Sequence, residues 1–137
     1  MECLDFNGIE RRKFVRLYVP LKLKFTIIEE GRSNEPSRIY NATTKDISIN
    51  ALRMRIEVLH KEAWDKIKNG NSRIELEINL TGVYGVIKIS GETLRLSEEG
   101  GNAYYMGVIF TGLSEDNKLK LLYFIMTNLR GLNSSTE

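Results

Sequence analysis

Leu17-Tyr18-Val19-Pro20-Leu21-Lys22-Leu23-Lys24-Phe25-Thr26-Ile27 is the stretch on which the fold turns. Leu17, Val19, Leu21, Leu23, Phe25 and Ile27 fall on one side of a two-residue period, and Tyr18, Pro20, Lys22, Lys24 and Thr26 on the other. That is the pattern of a strand with one face buried. Pro20 has no backbone donor, so its end of the strand belongs at a sheet edge or a bulge.

The same period recurs downstream. Ile74, Leu76, Ile78 and Leu80 alternate with Glu75, Glu77 and Asn79, and strands are predicted over 39–45, 52–58, 84–96 and 103–110. Glu29 to Pro36 reads as a loop, and Glu98 to Asn102 as a turn. So many antiparallel strands joined by turns point to a mainly β fold, a small antiparallel β-barrel, because closure removes exposed edges. Two helices interrupt this pattern. Lys61 to Lys68 is predicted as a short one, with Ala63, Trp64 and Ile67 on one face. A C-terminal α-helix is predicted to start at Ser114, to carry Leu119, Leu122, Ile125, Met126 and Leu129 on its apolar face, and to end at Gly131. That face packs on the barrel or, as the alternative, makes a homodimer contact.

A chain of 137 residues with 42% hydrophobic and 28% charged residues is expected to hold one core and no second domain. The expected division is an N-terminal arm over 1–9, a domain over 10–131 and a flexible tail over 132–137. No apolar run has the length of a membrane span, and Met1-Glu2-Cys3-Leu4-Asp5 lacks the pattern of a signal sequence. The cytoplasm is the expected location, with no membrane partner. Cys3 and His60 are the only residues of their kinds, so neither an internal disulfide nor a His/Cys zinc cluster can form. No metal or cofactor is expected.

The formal net charge is only +2, which argues against bulk nucleic-acid binding, but its distribution is uneven. Arg11, Arg12, Lys13, Arg16, Lys22 and Lys24 crowd into 10–24 against the single acid Glu10. Such a cluster serves either as a solvated edge that discourages sheet association or as a site for an anion. Arg11-Arg12-Lys13-Phe14-Val15-Arg16 supplies planar guanidinium forks suited to phosphates and purines. Asp46-Ile47-Ser48-Ile49-Asn50-Ala51 supplies a carboxylate and a hydroxyl between two predicted strands. Taken alone, Asp46 and Ser48 read as turn residues.

Arginines at Arg12 and Arg16 followed by Asp46-x-Ser48-x-x-Ala51 resemble the PilZ domain, whose pattern is RxxxR and then [D/N]xSxxG. Tyr105-Met106-Gly107-Val108-Ile109-Phe110 is similar to the late strand of that family. The resemblance implies a PilZ-like β-barrel and a bacterial receptor for cyclic di-GMP, the ligand rather than a cofactor. It implies ligand contacts by Arg12 and Arg16, with Asp46 accepting from guanine N1 and N2. Ser48 contacts the ligand or holds the turn. Arg11 either reaches a second, stacked ligand molecule or points to solvent.

Ala51 departs from the family's glycine. It remains part of the site wall if its φ is negative, and Asn50 is a residue able to take up left-handed turn strain. Binding is expected to order residues about 8 to 17 and so signal to a downstream protein. The competing readings are a degenerate PilZ adaptor that binds protein only and a small β-barrel that binds single-stranded nucleic acid. The latter is disfavoured because the aromatics follow core periodicity rather than forming stacking platforms. An enzyme is disfavoured because Ser48 has no evident base and Gly82, Gly85 and Gly91 do not form a phosphate-binding loop.

Overall fold

The computed structural model describes residues 15–28, 38–99 and 103–135. Arg11, Arg12 and the rest of the arm, the Glu29 to Pro36 loop and the centre of the Glu98 to Asn102 turn lie outside the described residues. Six antiparallel strands, β1 (Lys22–Ile27), β2 (Tyr40–Ile47), β3 (Ala51–Ile56), β4 (Arg73–Asn79), β5 (Val86–Glu99) and β6 (Ala103–Gly112), close into a barrel in the order β1-β2-β3-β6-β5-β4. Each strand therefore has two partners, and β4 closes the circle on β1 with Phe25 opposite Leu76.

Alternation then decides what is inside. Leu23, Phe25, Ala42, Met54, Ile56, Ile74, Leu76, Ile78, Ile87, Ile89, Met106 and Val108 are buried in one cluster. The lysines and glutamates between them form the outer face, with Lys24 opposite Glu77 and Glu77 opposite Lys88. Helix α1 (Lys61–Ile67) contributes Ala63 and Ile67 to the core, and its Trp64 ring packs 5.4 Å from that of Tyr104.

Helix α2 (Glu115–Ser135) starts as predicted, with the Asn117 N–H donating to Ser114 Oγ at 3.1 Å. It runs past Gly131, so the predicted stop is absent and residues 132–135 of the expected tail are helical. Its buried face is Leu121, Phe124 and Ile125, with Leu129 packed against the core, so Ile125 and Leu129 of the predicted stripe face inward whereas Leu119 and Met126 are exposed. Both stripes have helical spacing. The choice is made by tertiary contact, since the Phe124 ring meets Tyr84 edge-on at 5.9 Å and the Tyr84 hydroxyl pairs with Thr127 Oγ1 at 3.0 Å.

The first strand is also shorter than its alternation predicts. Regular pairing begins at Lys22, after Pro20, and Leu17 returns to β2 as an isolated bridge to Ile47. Here the missing donor of Pro20 has outweighed the pattern.

Candidate functional site

Asp46 is the last residue but one of β2, not part of the loop where the sequence placed it. Thr44 opposes Met54 and Asp46 opposes Arg53, so Lys45 is the extra residue of a β-bulge. Strict alternation from the inward Thr44 would turn Asp46 into the core. The bulge turns it instead toward the outer face, where Arg53 stands. Arg53 Nε donates to Asp46 Oδ2 at 2.8 Å, and Arg16 Nη1 lies 3.9 Å from Oδ1. The Asp46 side chain is only 3% exposed, whereas those of Arg16 and Arg53 are 54% and 48% exposed. A buried carboxylate thus gathers two guanidiniums whose outer parts face solvent.

The root of the arm is fastened beside it. Leu17 exchanges both backbone hydrogen bonds with Ile47, at 2.8 and 3.0 Å, which brings Arg16 to Asp46. Between this bridge and β1, the Thr44 hydroxyl accepts the Leu21 N–H at 2.8 Å and donates to the Val19 carbonyl at 2.6 Å.

Ser48 is buried and serves the turn. Its N–H donates to the Ala51 carbonyl at 2.8 Å, and its hydroxyl lies 2.7 Å from Asn50 Oδ1 as donor. Asn50 takes up no left-handed strain: the described non-glycine residues with positive φ are Asn71 and Thr81. Ala51 therefore keeps an ordinary backbone, and the methyl group that replaces the family's glycine is accommodated.

Outside the barrel, above β3, β5 and β6, a cleft of about 280 Å³ is lined by Arg16, Lys45, Asp46, Ala51, Arg53, Leu94, Arg95, Ser97, Tyr105 and Gly107, among others. Its far wall is a second irregularity. Thr93 opposes Val108 and Leu96 opposes Met106, leaving Leu94 and Arg95 against Gly107. The turn after α1 holds this bulge, since Leu96 N–H donates to Lys68 O at 3.2 Å and Asn71 N–H to Thr93 O at 2.7 Å. Gly70, at φ +83°, permits that approach: a Cβ there would stand 3.1 Å from Arg95 N. Lys45 Nζ lies 4.6 Å from the centroid of the Tyr105 ring, so the near wall carries a cation over an aromatic face. Arg55, opposite Tyr105 on the β3–β6 ladder, has its guanidinium pKa raised, chiefly by its hydrogen bond to Glu57 and then by Tyr105.

Of the predicted site residues, Arg16, Asp46 and Ala51 come together in the cleft, and Ser48 stands behind it in the turn. Arg11 and Arg12 lie outside the described residues. Sequence reading passed over Lys45, Arg53, Leu94, Arg95 and Tyr105. Arg53 had a signal, because alternation from Ala51 puts it on the same face; Lys45, Leu94 and Arg95 had none, because they owe their positions to bulges. Among the described residues no cluster of His, Cys, Asp and Glu could hold a metal ion, and no helix is long and apolar enough to cross a membrane.

The chain is similar in structure to several solved proteins. The PilZ domain of YcgR from Escherichia coli, solved with c-di-GMP, superposes with a TM-score of 0.63 at 18% identity, over 92% of this chain and 97% of that one. The Bacillus subtilis inhibitor of motility MotI/DgrA gives 0.61 at 17%, over 88% of this chain and 52% of that one. The K. pneumonia MrkH complex with c-di-GMP gives 0.64 at 14%, over 91% and 55%. The chain thus spans about half the length of the latter two proteins. No curated protein sequence matches it. Residues 10–127 match the family described as PilZ domain, and with that match and the barrel beneath it the chain belongs to the PilZ domain family.

Proposed function

We propose that this chain is a receptor for cyclic di-GMP that acts as an adaptor, with no catalytic step of its own. The observation that carries the reading is the pairing of Arg16 from the arm and Arg53 from β3 on one buried carboxylate, Asp46, at the edge of an open cleft. Cyclic di-GMP brings two phosphates and two guanines, so its receptor needs both neutralising charge and donors that fit purine edges. Guanidiniums supply both. Lysine alone supplies only the charge. Two of the similar structures, the PilZ domain of YcgR and MrkH, were solved with c-di-GMP, which supports the ligand class.

In this reading Arg12 and Arg16 hold the ligand and Ala51 forms part of the wall. Arg11 adds a further guanidinium at the arm, and Ser48 fixes the turn that carries Asp46 toward the cleft. Asp46 keeps the guanidiniums in place. Binding draws residues about 8 to 17 over the cleft, and the arm in its new position presents a surface to a downstream protein in the cytoplasm. The fastening of Leu17 to Ile47 supports this, since it gives the arm a fixed pivot directly beside the cleft.

Calorimetric titration of the chain with cyclic di-GMP tests the reading, with GTP and cyclic di-AMP as controls. Saturable binding of cyclic di-GMP that exceeds both controls is the expected result. Heats no larger than those of dilution, at ligand concentrations up to about 1 mM, a range where even −4 kcal/mol of binding is detectable, would sink it.

A further inference from the structure

We infer that Lys45 is a phosphate contact of this chain, built into the barrel wall rather than the arm, and that Tyr105 is the positioning residue that holds it ready. The inference rests on the cyclic di-GMP reading and adds to it the anchor for the second phosphate. The bulge sets it up. Lys45 and Asp46 are consecutive, yet both line the cleft, so a cation and a carboxylate leave β2 on the same side. They do not pair with each other. Asp46 takes Arg53 Nε at 2.8 Å, while Lys45 Nζ lies 4.6 Å from the centroid of the Tyr105 ring.

Tyr105 stands on β6, and β3 lies between that strand and β2. The lysine stem therefore crosses β3, where Arg53 and Arg55 also face outward. Each of those arginines has an acid, Asp46 for Arg53 and Glu57 for Arg55. Lys45 has none among the described residues. An aromatic ring attracts a cation through its quadrupole but carries no net charge. A carboxylate would fix the ammonium and cancel its field; the ring fixes it and leaves the field intact. Because the side chain is held before any ligand arrives, less rotamer freedom remains to be lost on binding. An ammonium is a point charge with donors but no fork, which suits a phosphate oxygen better than a base edge.

Placement separates this anchor from the arm. Arg16 of the arm stands at Asp46, beside Arg53, whose neighbour across the β3–β6 ladder is Gly107. Tyr105 lies two residues further along β6, about 7 Å away at the usual rise of a strand. The two cationic groups thus stand apart, as the two phosphates of one ligand do. Between them and the far wall lies Leu94, which is exposed to the cleft and occupies the space over Gly107 that a side chain there would fill. A ligand with one phosphate at the arm and the other at Lys45 lies across this apolar floor.

The test crosses a change in the ligand with a change in the protein. Calorimetry on the full chain gives dissociation constants for cyclic di-GMP and for an analogue in which one phosphodiester is replaced by a neutral methylphosphonate. Lys45→Gln removes the charge from an exposed position and leaves Asp46 with Arg53. Wild type should bind the analogue about ten-fold more weakly than cyclic di-GMP, the low end for a hydrogen bond to a charged group. Lys45→Gln should lose about ten-fold for cyclic di-GMP and bind the two ligands with equal affinity, the non-additivity of groups in contact. Tyr105→Leu should weaken cyclic di-GMP by about two- to five-fold, the worth of a cation–π contact at an exposed site, and Tyr105→Phe, which restores the ring, should recover that loss. A Lys45→Gln variant that keeps the full wild-type penalty for the analogue overturns the inference and leaves the receptor standing. So does equal wild-type affinity for the two ligands, a result that needs no variant to fold. Wild-type affinity in Tyr105→Leu overturns the positioning role. Absence of binding by the wild-type chain overturns the receptor reading and this inference together.

Discussion

The Thr44 hydroxyl accepts the backbone N–H of Leu21 at 2.8 Å, the first backbone donor after Pro20, which has none. It also donates to the Val19 carbonyl at 2.6 Å. The residue immediately before the Lys45 bulge therefore fixes the root of the arm that carries Arg16. Thr44→Val keeps the shape and removes both bonds. It is expected to cost about 1–3 kcal/mol of stability through the two backbone groups left without partners, and to weaken ligand binding because Arg16 loses its fixed origin. Thr44→Ser should restore both. Hydrogen exchange at Leu21 and a calorimetric titration check the two effects separately, and unchanged exchange in Thr44→Val would remove the clasp from the account.

Arg16→Ala and Arg12→Ala are each expected to weaken cyclic di-GMP binding by ten-fold or more while leaving the fold intact. The side chain of Arg16 is 54% exposed, and Asp46 retains Arg53 when Arg16 is removed. Stability should then stay within about 0.5 kcal/mol, the usual range for a surface substitution. Melting curves beside the titrations separate the two readouts. Wild-type affinity in both variants would show that the arm is not the phosphate clamp.

Much of the barrel was legible because its strands are half-buried and alternate. Ile74 to Leu80 reads as a strand on its own, and the structure places β4 there, at Arg73–Asn79. Legibility failed wherever one residue breaks the period. Nothing in Thr44-Lys45-Asp46 announces that Lys45 is the extra residue, yet that insertion decides whether Asp46 faces the core or Arg53. Leu94 and Arg95 are hidden for the same reason, since the turn after α1 holds their bulge from a distance in sequence. The α2 face was misread in part: Ile125 and Leu129 face the core as expected, but Leu121 and Phe124 are buried where Leu119 and Met126 were predicted to be, because Phe124 packs against Tyr84. The site was half legible: its motif marks Arg16 and Asp46, while their partner Arg53 becomes visible only once the register is known.

Two glycines on adjacent strands should respond differently to substitution. A Cβ at Gly91 would lie 2.5 Å from Val108 Cγ1 and 3.1 Å from the Ile109 carbonyl, inside the packed wall of the barrel. Gly91→Ala is expected to destabilise by about 1–3 kcal/mol, the usual cost of overpacking, with ligand affinity per folded molecule unchanged. Gly107 faces outward, where a Cβ would meet the Leu94 side chain, most closely its Cδ1 at 2.9 Å. Gly107→Val should lift Leu94 into the cleft, leaving denaturation midpoints close to wild type and weakening cyclic di-GMP. Denaturant titrations paired with calorimetry check this, and equal effects of the two variants on binding would count against the placement of the ligand over Leu94.

Affinity should fall as salt rises, and the slope should depend on Arg95. Arg16, Lys45, Arg53 and Arg95 line the cleft against the single carboxylate of Asp46, so its field attracts a doubly anionic ligand. The cations are at the surface. Their interaction with phosphates is therefore screened as the Debye length shrinks from about 30 Å at about 0.01 M salt to about 10 Å at about 0.1 M. Arg95 is the useful probe because it has no hydrogen bond or ion pair among the described residues, so Arg95→Ala removes charge without releasing a buried partner. The variant should bind cyclic di-GMP more weakly at low salt, show a shallower dependence of log Kd on log salt, and approach wild type as salt increases. Titrations of both proteins at several salt concentrations measure this, and parallel lines for wild type and variant would show that Arg95 lies outside the field the ligand meets.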